Sequence, residues 1–304
     1  MIIVKLIGGI GNQMFQYAVG RCLAVKNKTV LKFDLNYLMD RTPVENYVFR
    51  DYDLKIFNIE ENIASIEEIE KIKYKPLSIK ESIKCIQNAL VGKNYHPKRR
   101  ESKNYIKEPY FHFNENILNL GDNIYLDGYW QSPKYFSKIE DILRKEFSFK
   151  FDFPPKVEEL SDEIKSGNSV CINARRLEYA ENKAVNYYHG CMGQDYFFRG
   201  IDYIKEKVKD PHFYVFSDDL WWCRETFKGN EFTIISHDYL GEKCKYYMKL
   251  MSECNHTIIP NSSFAWWAAW LNKNPQKIVI APQKWFNVPE RNSKDLLPES
   301  WIRL

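Results

Sequence analysis

Short apolar runs separated by polar loops recur along the chain, the pattern of buried parallel strands alternating with helices rather than of one-sided sheets. In the first half this predicts a strand over Ile2 to Ile7, a turn over Gly8 to Asn12, a helix over Gln13 to Lys26 and a strand over Thr29 to Asp34. The second half repeats the unit. Strands are expected at Ser169 to Ala174, His212 to Phe216, Phe232 to Ile235, Thr257 to Pro260 and Lys277 to Ala281. Helices are expected at Gln194 to Val208, Trp221 to Phe227, Lys243 to Glu253 and Phe264 to Leu271. Between the halves, Pro154 and Pro155 suit neither a helix interior nor a central strand, and an acidic helical stretch follows over Val157 to Lys165. The expectation is an α/β chain of two domains, residues 1–155 and 156–304, with helices on both faces of each sheet. Ligands of such folds sit at the carboxyl ends of the strands, so the residues just past each strand carry the interest.

Composition narrows the classes. The 304 residues are 44% hydrophobic and 28% charged, as in a folded globular protein. The longest apolar run, Phe264 to Leu271, falls well short of the roughly 20 residues of a membrane-spanning helix. MIIVKLIGGIGNQ has no basic leader and reads as a strand and turn rather than an export signal, so a cytoplasmic protein is expected. Seven cysteines without a CxxC pair argue against a disulfide framework or a structural zinc site. A net charge of +4 does not call for a nucleic-acid partner, but its distribution is uneven. From Lys71 to Lys107 there are eleven Lys or Arg against Glu81 and Glu101. This basic insertion reads as a surface for peripheral contact with anionic lipid or a lipid-linked phosphate, or as a solvated helix face.

Four strand ends carry the candidate chemistry. Gly9-Ile10-Gly11 with Asp34 further on starts like a dinucleotide fingerprint, but Met14 stands where the third glycine belongs. Otherwise the glycines bend the backbone near a ligand while Asn12 and Gln13 supply amides at a helix N-terminus, or the segment is a plain turn. Arg175 and Arg176 follow an apolar strand as a cationic fork suited to a diphosphate, or as one half of a structural ion pair. Asp218 and Asp219 offer acceptors for ribose or a base edge, or cap the next helix; as adjacent acids in one turn they are weak metal ligands. Asn261-Ser262-Ser263-Phe264 opens a helix whose free N–H groups and positive end suit an anion, or whose serines serve only as caps. Together the four ends describe a pocket for a nucleoside diphosphate.

Longer segments then carry a resemblance. GGIGNQMFQYA (Gly8 to Ala18), LDGYWQSPKYF (Leu126 to Phe136), FYVFSDDLWWC (Phe213 to Cys223) and NSSFAWWAAWLNKNPQKIVIAPQKWF (Asn261 to Phe286) resemble glycosyltransferase family 11, the bacterial α-1,2-fucosyltransferases, over nearly the whole chain. The resemblance implies a GT-B architecture, two Rossmann-like domains facing each other across a cleft. It also implies a GDP-β-L-fucose donor held mainly by the C-terminal half, inversion at the anomeric carbon, and no metal or other cofactor. The acceptor it implies is a galactose-terminated glycan or lipid-linked oligosaccharide near the N-terminal half. Carried across, it puts Arg175 on the donor β-phosphate beside Arg176, and Ser262, Ser263 and Phe264 at the phosphates. Asp218 or Asp219 falls near the nucleoside, and Asn12 and Gln13 reach the diphosphate from the facing domain. Where the family reads His-x-Arg-Arg-Gly-Asp-Tyr, this chain reads Asn173-Ala174-Arg175-Arg176-Leu177-Glu178-Tyr179. That departure leaves a changed donor sugar, or a binder without turnover, as the alternative. Glu178, Glu181 and His189, all in the loop after the arginine strand, are the candidates for catalytic base, with Glu178 first. Tyr129, Trp130 and Tyr187 are aromatics that could stack on a sugar ring, burial being the competing fate.

Overall fold

The computed structural model describes residues 1–43, 48–91, 97 and 99–304, the side chain of Glu178 excepted. Two all-parallel sheets organise it. The first contains β1 (Ile2–Lys5), β2 (Leu31–Asp34), β3 (Tyr105–Lys107) and β4 (Ile124–Asp127) in the order β2-β1-β4-β3. The second contains β5 (Ser169–Ala174), β6 (His212–Ser217), β7 (Phe232–Ile234), β8 (His256–Ile258), β9 (Val279–Ala281) and β10 (Ile302–Arg303) in the order β10-β9-β8-β5-β6-β7. Counted from β5, that is the doubly wound order 3-2-1-4-5-6. All six residues of β5 are buried because helices cover both faces, which is why Val170, Cys171, Ile172 and Ala174 put apolar side chains on both of them.

The predicted strands and helices of the second half all form, with ends shifted by at most two residues. In the first half the turn is shorter than expected: the first helix begins at Ile10 and runs to Asn27. Lys28, in the left-handed region at φ 50°, ends it by donating its N–H to the carbonyls of Ala24 and Val25.

Three apolar clusters fill the layers. One lies under the first sheet, where Ile3 and Tyr125 meet Ile69 and Ile72 of the helix Ile66–Lys73. Another lies on the outer face of the second sheet, joining Val170, Ile172, Val215 and Ile258 to Phe197, Ile201 and Ile204 of the helix Gln194–Lys207. The largest runs without interruption from Ile2, Val4 and Leu126 of the first sheet to Cys171, Phe216 and Ile259 of the second. At its centre Phe15 packs 4.6 Å from Trp266 and 4.9 Å from Trp267, and Phe136 stacks on Trp267 at 5.4 Å. Trp266 and Trp267 are wholly buried in the helix Ser263–Leu271. The two sheets are thereby held with their carboxyl ends towards each other, the GT-B arrangement. No described helix is long and apolar enough to cross a membrane.

Candidate functional site

The site lies where each strand order reverses, between β1 and β4 in one sheet and between β5 and β8 in the other, and the loops from all four strand ends converge there. The helix Ile10–Asn27 points its N-terminus at the seam. So does the helix Ser263–Leu271 from the opposite side, and neither capping residue, Gly9 or Ser262, makes a side-chain hydrogen bond to the first N–H groups. The two ends touch at Gly11: a Cβ there would lie 2.6 Å from the Phe264 N and closer still to the Ser263 carbonyl carbon. Two helices thus bring the partial positive charge of their termini to one place, which favours an anion. The C-terminal end of the tryptophan helix is satisfied instead by Lys277, whose Nζ donates to the carbonyls of Ala269 (2.9 Å), Trp270 (3.3 Å) and Asn272 (2.7 Å).

Asn12 is the node between the halves. Its Oδ1 accepts from Gln131 Nε2 (2.7 Å), in the loop after β4, and from Ser263 Oγ (2.9 Å) across the seam. Gln13 is not a ligand contact, and the expectation that it reaches the diphosphate is corrected. It is fully buried, its Nε2 donates to the carbonyls of Gly8 (2.9 Å) and Asp51 (2.7 Å), and its Oε1 accepts from Asp53 N (2.9 Å). An amide so occupied clasps the loops and offers nothing to solvent. The dinucleotide alternative fails similarly, since Asp34 is buried and accepts from Tyr125 Oη (2.5 Å) and Asn36 N (2.9 Å). The close helix-on-strand approach that its missing third glycine would supply occurs instead at Gly20, where a Cβ would lie 2.5 Å from Val4 Cγ1.

Past β5, Arg175 Nη1 donates to Asp218 Oδ2 at 2.7 Å, and Arg176 N donates to Asp218 Oδ1 at 2.8 Å. Asp218 therefore fixes the arginine turn. The pair is not sealed off: the Arg175 and Asp218 side chains are 32% and 20% exposed. Asp219 caps the helix Leu220–Thr226 by accepting from Trp222 N at 3.0 Å, the competing role anticipated for it. Arg176 lies over the Trp222 ring at 3.8 Å and donates to the Met192 carbonyl at 3.2 Å. It is thus held in the wall of the site, while Arg175 stands at its edge. Ser262 and Phe264 lie at the seam-facing end of the tryptophan helix, beside Ser263.

Of the candidate bases, Glu178 and Glu181 fall in the short helix Leu177–Glu181, and the Glu178 side chain lies outside the described residues. The helix also shows how Leu177 is accommodated where the family has glycine: no positive φ is used there. His189 stacks on Tyr179 at 5.1 Å, and its carbonyl accepts from Asn261 Nδ2 at 2.6 Å, so it adjoins the serine loop. Asn173, in the family's histidine position, is buried and turned inward, donating to the Phe216 carbonyl at 3.1 Å beside Met251. Among the proposed sugar-stacking aromatics Trp130 is buried, Tyr129 partly so and Tyr187 exposed.

One group went unnoticed in the sequence. Glu108, just past β3, accepts from Tyr129 N (2.7 Å) and Trp130 N (2.9 Å) in the loop after β4. Burial pushes its carboxyl up to about 7, against the two N–H groups that favour the charged form. Its only sequence signal is its place after a strand too short to recognise.

The parallel sheets facing each other, with the anion-receptive seam at their carboxyl ends, are those of a GT-B glycosyltransferase. The chain belongs to glycosyl transferase family 11, whose model matches residues 1–304. It is 33% identical over 308 residues to an alpha-1,2-colitosyltransferase of Escherichia coli, covering 100% of this chain and 99% of that protein. It is 30% identical over 315 residues to the O-antigen biosynthesis glycosyltransferase WbnK of Escherichia coli, covering 98% and 99%. Among solved structures, the fucosyltransferase NodZ from Bradyrhizobium aligns over 92% of this chain and 94% of its own at 13% identity, with a TM-score of 0.47.

Proposed function

We propose that the protein transfers L-fucose from GDP-β-L-fucose, with inversion and without a metal ion, to the 2-hydroxyl of a terminal galactoside. The observation that carries this reading is the meeting of two helix N-termini that lack side-chain caps, one of them following β8, whose sheet neighbour β5 leads into Arg175. Departure of GDP from an oxocarbenium-like carbon builds negative charge on the β-phosphate, and fixed dipoles and a guanidinium aimed at that charge stabilise it without reorganising. Asp218 acts here as the positioning residue for Arg175, and Asn12 keeps the facing loops in register with the serine helix.

One observation favours a second donor. The chain is 33% identical to a colitosyltransferase, and Asn173 turns inward where the family places an imidazole. Colitose differs from fucose by one hydroxyl, so a donor pocket that has lost a polar side chain suits it.

The test is release of GDP from GDP-fucose and from GDP-colitose, with lactose as acceptor, with and without EDTA, and with the product linkage read by NMR. Acceptor-dependent release that survives EDTA, giving an α-1,2 product, is the expected result. The ratio of kcat/KM for the two donors chooses between them. Release that collapses in EDTA, or none with either donor, rejects the reading.

A further inference from the structure

The helix Ile79–Leu90 buries none of its residues. It is nonetheless well made: Ser78 accepts from Glu81 N, and the Glu81 carboxylate accepts from Ser78 N, closing a capping box. Its aliphatic side chains fall at intervals of four, three and four and so share one stripe. They are exposed: Ile79 80%, Ile83 49%, Ile86 61% and Leu90 81%, with Val91 at 67% just beyond. Lys80 borders one side of the stripe, Lys84 lies further round on the same side, and Glu81 lies opposite.

The helix stands away from the body on a neck. Tyr74 and Glu101 pair antiparallel, with Lys75 N donating to the Arg100 carbonyl (2.8 Å) and Ser102 N to the Lys73 carbonyl (2.9 Å). Glu101 and Ser102 lead into the start of β3, so the neck leaves from the amino end of the first sheet, away from the seam at the carboxyl ends. Exposed Lys75, Arg100 and Lys103 surround its base.

We propose that this helix is a membrane-docking element that lays its aliphatic stripe into the interface of an anionic lipid bilayer, with the surrounding Lys and Arg on the headgroups. An aliphatic ridge with lysine along one side, on a helix none of whose residues is buried, is the architecture of interfacial helices. Each basic side chain near such a surface adds attraction, and the segment carries eleven against two acids. A second copy of the chain fits less well. A stable interface takes roughly 800 Å² per partner from about 20–30 residues, far more than one 12-residue helix face supplies, and self-pairing would set two basic segments against each other.

The test is flotation of the full chain with vesicles of phosphatidylcholine and phosphatidylglycerol in equal parts, beside vesicles of phosphatidylcholine alone. The expected result is flotation with the mixed vesicles only, falling at least about tenfold in Ile83→Glu/Ile86→Glu and in Lys80→Glu/Lys84→Glu. Because those side chains are exposed, melting temperature and GDP release in solution stay at wild-type values, separating lost docking from lost folding. A Trp placed by Ile86→Trp is expected to shift its emission to the blue on mixed vesicles. Flotation that is absent, equal on neutral lipid or unaffected by the variants overturns the proposal. So does a wild-type dimer in solution that Ile83→Glu/Ile86→Glu converts to monomer, which assigns the stripe to a second copy.

Discussion

Gly11→Ala tests the seam directly. The added Cβ would sit 2.6 Å from Phe264 N and 2.7 Å from Ser263 O, where ordinary contact begins at 3.4 Å, and the opposing atoms are backbone that cannot rotate aside. Relief requires the two helix ends to part by about 1 Å, since the Ser263 carbonyl carbon lies closer still. Overpacking of this kind costs about 1–3 kcal/mol, and here its upper part applies because no side chain can give. Replacing a helical glycine returns about 0.5–1 kcal/mol. The net is a loss of about 2 kcal/mol, or about 3 °C in Tm for a chain of this size. Turnover suffers more, since misplacing reacting groups by about 1 Å can cost about 10²-fold. Gly9→Ala is the matched control: nothing lies within 4 Å of its Cβ, and its φ of −78° suits alanine. Both variants are followed by thermal unfolding and by kcat/KM for acceptor-dependent GDP release. A Gly11→Ala enzyme with wild-type melting and turnover, or a Gly9→Ala enzyme equally damaged, would refute the account of the seam.

Arg175→Ala is expected to lower kcat by about 10²–10³ while leaving Tm within about 1 °C, because the side chain stands at the edge of the site; near-normal turnover removes it from the donor site. In Glu108→Gln the pH dependence of stability changes. The folded protein keeps a proton to about 7 that the unfolded chain releases near 4.5, so wild-type stability declines as pH rises through that window. Tm measured from pH 4 to 8 is expected to lose that decline in the variant, and an unchanged profile contradicts the assignment. Lys277→Met leaves the carbonyls of Ala269, Trp270 and the capping residue Asn272 without this donor and is expected to cost about 1–3 kcal/mol in denaturant unfolding; a change under about 0.5 kcal/mol refutes the capping role.

The second sheet was legible in the sequence because its strands are runs buried on both faces, and β5, Ser169–Ala174, forms with the predicted ends. β3 and β4 were not recognised, since Tyr105–Lys107 and Ile124–Asp127 are too short to show a period and acquire their strand character only by pairing with β1 and each other. Missing them hid Glu108 and Gln131, which matter through the loops after those strands. Gln13 misleads for another reason. An amide at a helix start resembles a ligand donor in sequence, and only the return of the chain at Asp51 and Asp53 shows it already engaged. The basic charge of 71–107 is visible without its aliphatic partner because the stripe of Ile79, Ile83, Ile86 and Leu90 looks like an ordinary core face, yet is exposed among the described residues.

The aromatic bridge through Phe15, Phe136 and Trp267 has a consequence for how this enzyme can be engineered. Trp267 donates its indole N–H to the Gly11 carbonyl at 2.9 Å, so each half supplies part of the other's interior. Neither half is a transplantable module. A hybrid joining this C-terminal half to a relative's N-terminal half would expose two mismatched oily surfaces unless Phe15, Phe136 and Phe147 travelled with their tryptophan partners, and the two halves are expected to melt as one cooperative body.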